Sequence, residues 1–467
     1  MTHAAVRVSA FLAMVAGSSA QAPREVDLVV SGGTVVTVDP ARRVLAPGSV
    51  AIDRGVIVGV GQAADIARGF KGRDAIDASG RVVLPGLINT HTHAPMVLYR
   101  GLGDDLALMD WLQKYIFPAE AKTVSAAFVR TGTELAALEM IRSGTTAYVD
   151  MYYFEEEIAR VTRAAGLRGV LGQTIIEFPV PDAKTPALGL ARTEAFIKEF
   201  HRDELITPAV APHSVYTVDA ATLTGSRDLA AKYDVPLIIH LGETSDETKL
   251  SIDRYKARPV AALAALGVLG PKVIAAHGVW IEPDEVRLLQ RLGVGVAHNP
   301  ESNMKLASGT APVLDYLQAS VELGLGTDGA ASNNDLDMFE AMRQAAFLHK
   351  LTSRDPRAVS ARTALEMATI GGARVIGRES DLGSLETGKR ADLIVVGMSR
   401  PGQTPMYDPI SHLVYATHGS DVETTIVNGR VLMRSGKVLT LDEPRVIAAA
   451  RQASGLVRAA VAAAPPP

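Results

Sequence analysis

The chain has 467 residues, of which 47% are hydrophobic, 21% charged and 5% aromatic, a balance that allows a large folded core and excludes intrinsic disorder. Forty-seven basic against 51 acidic residues leave a formal net charge of −4, and with no block of like charge to grip a polyanion the composition argues against nucleic acid as a partner. Cysteine is absent, which removes disulfides, thiolate zinc sites, iron–sulfur clusters and cysteine nucleophiles, so any metal must be held by His and carboxylate.

Residues 1–22 carry His3 and Arg7, then an apolar run from Val8 to Gly17, then small residues from Ser18 to Ala22. This reads as a short secretory signal with a cleavage site at Ser18-x-Ala20, the alternative being a disordered leader. A genuine signal implies export to the periplasm, and its absence a cytoplasmic protein. The run is too short to span a bilayer, and no later stretch has ~20 uninterrupted apolar residues, so no membrane span is expected.

From Val26 to Val83 short β-branched runs alternate with Gly and Asp, the pattern of antiparallel strands joined by tight turns. The same style returns in RADLIVVG (390–397) and ETTIVNGRVLMRSGKVL (423–439). Residues 24–84 and 384–441 are therefore expected to form one small β-sandwich domain assembled from both chain ends. Between them, over 85–383, apolar runs alternate with helical periodicity. Eight strand candidates stand out: VLPGLIN (83–89), TTAYVDM (145–151), LRGVLGQT (167–174), ITPAVAP (206–212), VPLIIHL (235–241), KVIAAHG (272–278), VGVAHN (294–299) and LGLGTDG (323–329). Eight such strands with intervening helices specify an α/β fold, a (β/α)8 TIM-type barrel, more readily than an open doubly wound sheet. Residues 442–467 are expected to be a C-terminal helix followed by a frayed Ala/Pro tail.

Polar residues punctuate the ends of these strands. His91 and His93 stand two apart after Asn89, so in extended backbone both imidazoles project to one side. His240 closes PLIIH, His277 closes VIAAH, His298 closes GVAH and Asp328 closes LGLGTD. Taken singly, each reads as a buried histidine or a helix cap; together, at the carboxyl ends of barrel strands, they are expected to converge in one mouth. His91, His93, His240 and Asp328 offer three neutral nitrogens and one anionic oxygen, a set suited to one divalent ion, zinc first, with iron or manganese acceptable. Glu243, in the loop after His240, is the candidate general acid/base.

The segments PGLINTHTHAPM (85–96), HLGETSDE (240–247), AAHGVW (275–280), HNPESNMKLASGTAPV (298–313) and LGTDGAASNNDLDMF (325–339) resemble the amidohydrolase superfamily. Within it they are similar to the branch holding 5-methylthioadenosine/S-adenosylhomocysteine deaminases, over about Val26 to Asp442. The resemblance implies the same four metal ligands, Glu243 as proton shuttle and His277 as partner of the attacking water or the developing oxyanion. It implies a mononuclear site, since APHSVYT (211–217) holds no lysine where binuclear relatives place one. It further implies that Trp111 lines the substrate pocket, that Glu120 binds the ribose hydroxyls and that His213 contacts substrate.

One departure bears on specificity. Gln173 stands where S-adenosylhomocysteine-binding members place an arginine, and glutamine has no charge with which to hold a carboxylate. Arg192 is a possible approach to the same loop. The expected activity is hydrolytic deamination of an adenine ring in nucleosides with a small or neutral 5′ group: 5-methylthioadenosine, 5′-deoxyadenosine or adenosine, with S-adenosylhomocysteine less favoured. The competing expectations are a deaminase or hydrolase of guanine, cytosine or an s-triazine, and a catalytically silent scaffold. Family analogy adds a homo-oligomer.

Overall fold

Near-continuous apolar runs can be buried on both faces only inside a covered parallel sheet, and the computed structural model, which describes Met1 and residues 22–461, arranges them so. The amino-terminal strands are β1 (Arg24–Val36), β2 (Val44–Asp53), β3 (Val56–Gln62), β4 (Phe70–Asp77) and β5 (Arg81–Pro85). The barrel strands follow: β6 (Leu87–Thr92), β7 (Thr145–Tyr152), β8 (Arg168–Ile175), β9 (Ile206–Pro212), β10 (Leu237–Leu241), β11 (Val273–His277), β12 (Gly295–His298) and β13 (Leu323–Leu325). All eight fall on the runs read from the sequence. They pair parallel in chain order from β6 to β13. The last seam is closed by hydrogen bonds between β6 and the segment after β13: Asn89 Nδ2 donates to Thr327 Oγ1 (2.7 Å), and Asp328 N donates to His91 O (2.9 Å).

Alternation along the strands sorts the two faces. Val149, Met151, Val170, Ala211, Ile238 and Ile274 form the barrel interior, plugged from below by Ala373, Val375 and Leu382. Tyr148, Leu171, Val210, Ile239, Ala275 and Val296 face the surrounding helices. In β6 the register shifts between Asn89 and Thr92. That irregularity lets Ile88 and, three residues later, His91 both face inward, which strict alternation forbids.

The outer strands from both chain ends, with β14 (Leu393–Gly397), β15 (Val422–Val427), β16 (Arg430–Arg434) and β17 (Lys437–Val438), form one nine-stranded sheet ordered β17-β16-β15-β14-β5-β1-β2-β3, with β4 also on β1. Leu28, Val30, Val50, Ile57, Leu393, Val395 and Ile426 share its core. The reading of these strands as antiparallel needs one correction, because β4 and β5 run parallel to β1. A short helix, Ala63–Gly69, returns the chain after β3 so that β4 starts from the same end as β1; alternation within a strand looks the same in either direction.

Arg168 of β8 ties barrel to sheet. Its guanidinium donates from Nε to Asp392 Oδ2 (2.6 Å) and from Nη2 to Asp392 Oδ1 (3.0 Å), with both side chains buried. Gly86, between β5 and β6, presses on Thr146 so closely that a Cβ there would lie 2.1 Å from Thr146 Oγ1. The terminal helix Glu443–Val461 lies on the helix Ala126–Ser143, with ion pairs Arg445–Glu134 and Arg142–Glu443. Residues 2–21, which carry nearly all of the secretory-signal reading, and the tail 462–467 lie outside the described residues. Among the described residues no helix is long and apolar enough to cross a membrane.

Candidate active site

The carboxyl ends of the barrel strands surround a concave, mostly apolar cleft into which a few polar side chains converge, the usual form of a small-molecule site. His93, His213, His240, His277, Asp328 and Glu243 reach it from the strand ends, and Trp111 and Glu120 close it from the helical segment after β6. His91 lies beneath the cleft floor, fully buried.

Local backbone explains two of these positions. In β11 Ile274 faces the interior, so alternation alone would turn His277 outward; instead its φ of +77° swings the ring to the cleft. Asp328 likewise has φ +63°. A non-glycine residue in the left-handed region is disfavoured, and such strain gathers at functional sites.

The imidazole cluster has the chemistry of a cation site. His93 Nδ1 lies 2.6 Å from Met151 O and His240 Nδ1 2.9 Å from His213 O. Carbonyl oxygens only accept, so each Nδ1 carries the hydrogen and each Nε2 is a bare lone pair. Those two Nε2 atoms face each other at 3.3 Å. Asp328 Oδ1 stands 3.3 Å from His93 Nε2 and 3.5 Å from His91 Nε2, and neither ring nitrogen of His91 makes a hydrogen bond. Acceptors converging without a donor are stable only around a positive centre. His91, His93 and His240 form one group able to hold a metal ion, and His91, His277 and Asp328 another.

Electrostatics agrees. Burial pushes His91 down to about 4 and His240 well below the usual imidazole range, so both are neutral ligands near pH 7. Burial by itself would raise Asp328, but the histidines around it outweigh that and hold it well below the carboxylate range. Ser302 Oγ (2.7 Å) and Ser332 Oγ (2.8 Å) both donate to Asp328 Oδ2, which leaves Oδ1 toward the imidazoles. Beside the cluster, burial pushes Glu243 upward against the pull of His277. His277, which burial would lower, is raised by Glu243 and Asp328; its Nε2 lies 3.8 Å from Glu243 Oε2. Glu247 fixes the turn that presents Glu243 by accepting from Gly242 N and Glu243 N, each at 2.9 Å.

At the far end Glu120 is buried, and burial lifts its carboxyl to about 7 even though Tyr152 OH donates to Oε1 at 2.7 Å. Trp111 lies against the cleft and donates Nε1–H to Leu102 O (3.1 Å). His213 faces it too, lowered by burial to about 3, with Nδ1 held by Thr217 Oγ1 (2.9 Å). Among the described residues no lysine or arginine lines the cleft.

Three residues singled out in the sequence sit elsewhere. Gln173 is fully buried off the cleft: its Nε2 donates to Asp182 Oδ2 (2.9 Å) and its Oε1 accepts from Glu155 N (3.4 Å). Arg192, the possible approach to that loop, is held by Asp182 (3.2 Å) and Glu156. His298, expected in the mouth, turns away and sets Nε2 3.0 Å from Nε2 of His349 on the helix Met338–Ser353, because its ring continues the outer alternation of Val296. Ser302, Ser332, Tyr152 and Glu247 went unassigned in the sequence. Ser302, Ser332 and Glu247 lie inside quoted motifs, but a hydroxyl or a second loop carboxylate carries no signal until its partner is placed.

Fold and cleft together define a barrel hydrolase built around a His/Asp cation site, and the chain belongs to the amidohydrolase family, whose model matches residues 82–432. It is 49% identical over 421 residues to a 5-methylthioadenosine/S-adenosylhomocysteine deaminase of Syntrophobacter fumaroxidans, covering 90% of this chain and 96% of that protein. It is 43% identical over 430 residues to a 5′-deoxyadenosine deaminase of Methanosarcina mazei, covering 92% and 98%. Among solved structures, an adenosine deaminase from Xanthomonas campestris with bound zinc superposes with a TM-score of 0.92 at 40% identity, covering 94% of this chain and 100% of that one. The zinc-bound atrazine chlorohydrolase TrzN of Arthrobacter aurescens follows at 0.85 and 25% identity, covering 92% and 100%. The resemblance read from the five sequence motifs holds.

Proposed function

We propose that the chain is a hydrolytic deaminase of adenosine-like nucleosides, using one zinc ion per subunit held by His91, His93, His240 and Asp328. The observation that carries the reading is a single cleft with a neutral-histidine cation site beside Glu243 at one end and the buried carboxyl of Glu120 at the other. The relatives act, by name, on 5-methylthioadenosine, S-adenosylhomocysteine and 5′-deoxyadenosine. A divalent ion bound there supplies a Lewis acid that brings the pKa of water down toward neutrality.

The side chains do the rest. Glu243, raised by burial toward the pH at which it can both take and return a proton, accepts a proton from the attacking water and delivers it to the ring nitrogen beside the amino-bearing carbon. His277 hydrogen-bonds the attacking water and, once its Nε2 carries a proton, holds the oxygen that develops charge at that carbon. Glu120 accepts from the two ribose hydroxyls, Trp111 covers the substrate and His213 contacts it. Since among the described residues no lysine or arginine lines the cleft, the favoured substrates carry a small, uncharged 5′ group, such as 5-methylthioadenosine, 5′-deoxyadenosine and adenosine, over S-adenosylhomocysteine with its carboxylate. Gln173 acts on this preference only through the loop it holds.

The test is ammonia release from a panel of adenosine, 5′-deoxyadenosine, 5-methylthioadenosine, S-adenosylhomocysteine, guanine, cytosine and an s-triazine. The neutral nucleosides should give the highest kcat/KM; preference for a free base or a triazine would overturn the reading.

A further inference from the structure

We infer that Asn303 is a positioning residue that fixes the tautomer of His277, so that whenever its ring is neutral it turns a bare Nε2, an acceptor, toward the attacking water. The inference rests on the deaminase reading above. Its ground is a contrast within the imidazole cluster. The Nδ1 atoms of His93 and His240 are pinned by backbone carbonyls, which are present whatever the side chains are. His277 Nδ1 instead meets a side chain, Asn303 Oδ1, at 3.0 Å.

Asn303 is buried and rigidly held. It lies on the short helix Pro300–Lys305 after β12, its N donates to Asn299 O (3.1 Å) and its O accepts from Ser308 N (2.8 Å). An amide oxygen at 3.0 Å calls for a hydrogen on Nδ1, and a neutral imidazole with Nδ1–H has its lone pair on Nε2. That Nε2 is the atom 3.8 Å from Glu243 Oε2, at the wall of the cleft.

A second amide bears on the same nitrogen. Asn299 Nδ2 approaches His277 Nδ1 at 3.3 Å, and Asn299 Oδ1 has no hydrogen-bond partner. Turning that carboxamide over would present a second acceptor to Nδ1 and favour the same tautomer. Asn299 as placed, offering Nδ2 to Nδ1 at 3.3 Å, or a reversed Asn303 amide, bringing Nδ2 to the ring, would favour the opposite result, a bare Nδ1 and an Nε2–H that donates to the water; the shorter Asn303 Oδ1 contact at 3.0 Å outweighs the longer Asn299 one. The two arrangements assign His277 opposite roles in the ground state, and Asn303 decides between them.

The direct test is NMR of the ring nitrogens in the zinc-loaded wild-type protein with nitrogen-labelled histidine, taken up in pH until His277 has lost its second proton, the His277 signals being identified by their loss in His277→Gln. Nδ1–H with a bare Nε2 is expected; Nε2–H with a bare Nδ1 overturns the inference. Kinetics give the second arm. Asn303→Leu, which keeps the size but offers no acceptor, should lower kcat about 10–100-fold with KM within about threefold and zinc content unchanged. Asn303→Asp, which keeps an acceptor oxygen on Nδ1, should recover most of that loss. Unchanged kcat in the leucine variant, or equal losses in both, refutes the role. Should Asn303→Leu fail to fold, the wild-type tautomer and Asn303→Asp still decide. A chain that deaminates nothing in the panel overturns the deaminase reading, whereas the wrong tautomer in an active chain overturns this inference alone.

Discussion

Replacing Glu120 by glutamine tests the substrate assignment most sharply, because the side chain keeps its size and its neighbours while losing its charge. Glu120 is buried and receives one hydrogen bond, from Tyr152 OH. A vicinal diol donating to the carboxylate would make two charge-assisted hydrogen bonds. Each contributes ~1.5–3 kcal/mol, against ~0.5–1.5 kcal/mol for a neutral acceptor. The difference of ~1–1.5 kcal/mol per bond gives ~2–3 kcal/mol for the pair, or roughly a 30–150-fold fall in kcat/KM at tenfold per ~1.4 kcal/mol. The assay is ammonia release from adenosine and from 2′,3′-dideoxyadenosine. Wild type should prefer the ribonucleoside, and Glu120→Gln should shrink the preference by that factor, lowering kcat/KM for adenosine while leaving the dideoxynucleoside unchanged.

The pH profile gives an independent check on the same side chain. Burial lifts this carboxyl from its ordinary 4.5 to about 7, so the charged form, the one that on the ribose assignment would accept both hydroxyls, predominates only above about 7. For the ribonucleoside, kcat/KM should fall as pH drops through that value, and Glu120→Gln should lack this limb. The stability linkage has the opposite sense. A raised folded pKa means that the protonated form is favoured by folding, so this contribution is complete below 4.5 and is lost as pH rises through about 7. Undiminished discrimination between the two sugars in Glu120→Gln, with the acid limb intact, would refute the ribose assignment.

Further outcomes follow from other parts of the molecule. Glu243→Gln should retain zinc while kcat falls about 10²–10⁴-fold, and near-wild-type turnover would remove Glu243 from proton transfer. Stripping the metal with a chelator should abolish activity and lower Tm, because an ion that binds only the folded chain stabilises it by about 2.7 kcal/mol at one hundred times its Kd; zinc should restore both, and an unchanged Tm in verified metal-free protein would contradict the cluster's reading as a cation site. Arg168→Met should destabilise by about 3–5 kcal/mol, since Asp392 stays buried without its partner, which for a chain this long is a Tm drop of roughly 3–5 °C; adding Asp392→Leu should recover part of it, and an unshifted Tm would show that the pair does not hold the sheet to the barrel.

Much of this protein was legible without coordinates, for identifiable reasons. Barrel strands buried on both faces must be apolar throughout, so eight runs announced the strands, and the polar residue where each run stops announced the mouth. The His91-x-His93 pair, His240, Glu243 and Asp328 were visible because few side chains combine ligand chemistry with a place at a strand end. Strand direction was hidden, since β4 alternates like any other strand whichever way it runs beside β1. Also hidden was the fate of His298 and Gln173, which have the residue types and the address of site residues yet turn to His349 and to Asp182. The register slip in β6 and the positive φ of His277 and Asp328 decide which side chains enter the cleft. Composition and spacing thus determine which atoms are available for chemistry, whereas their direction depends on backbone torsions and partners up to 238 residues away, as Asn89 and Thr327 are, and these exist only once the chain has closed on itself.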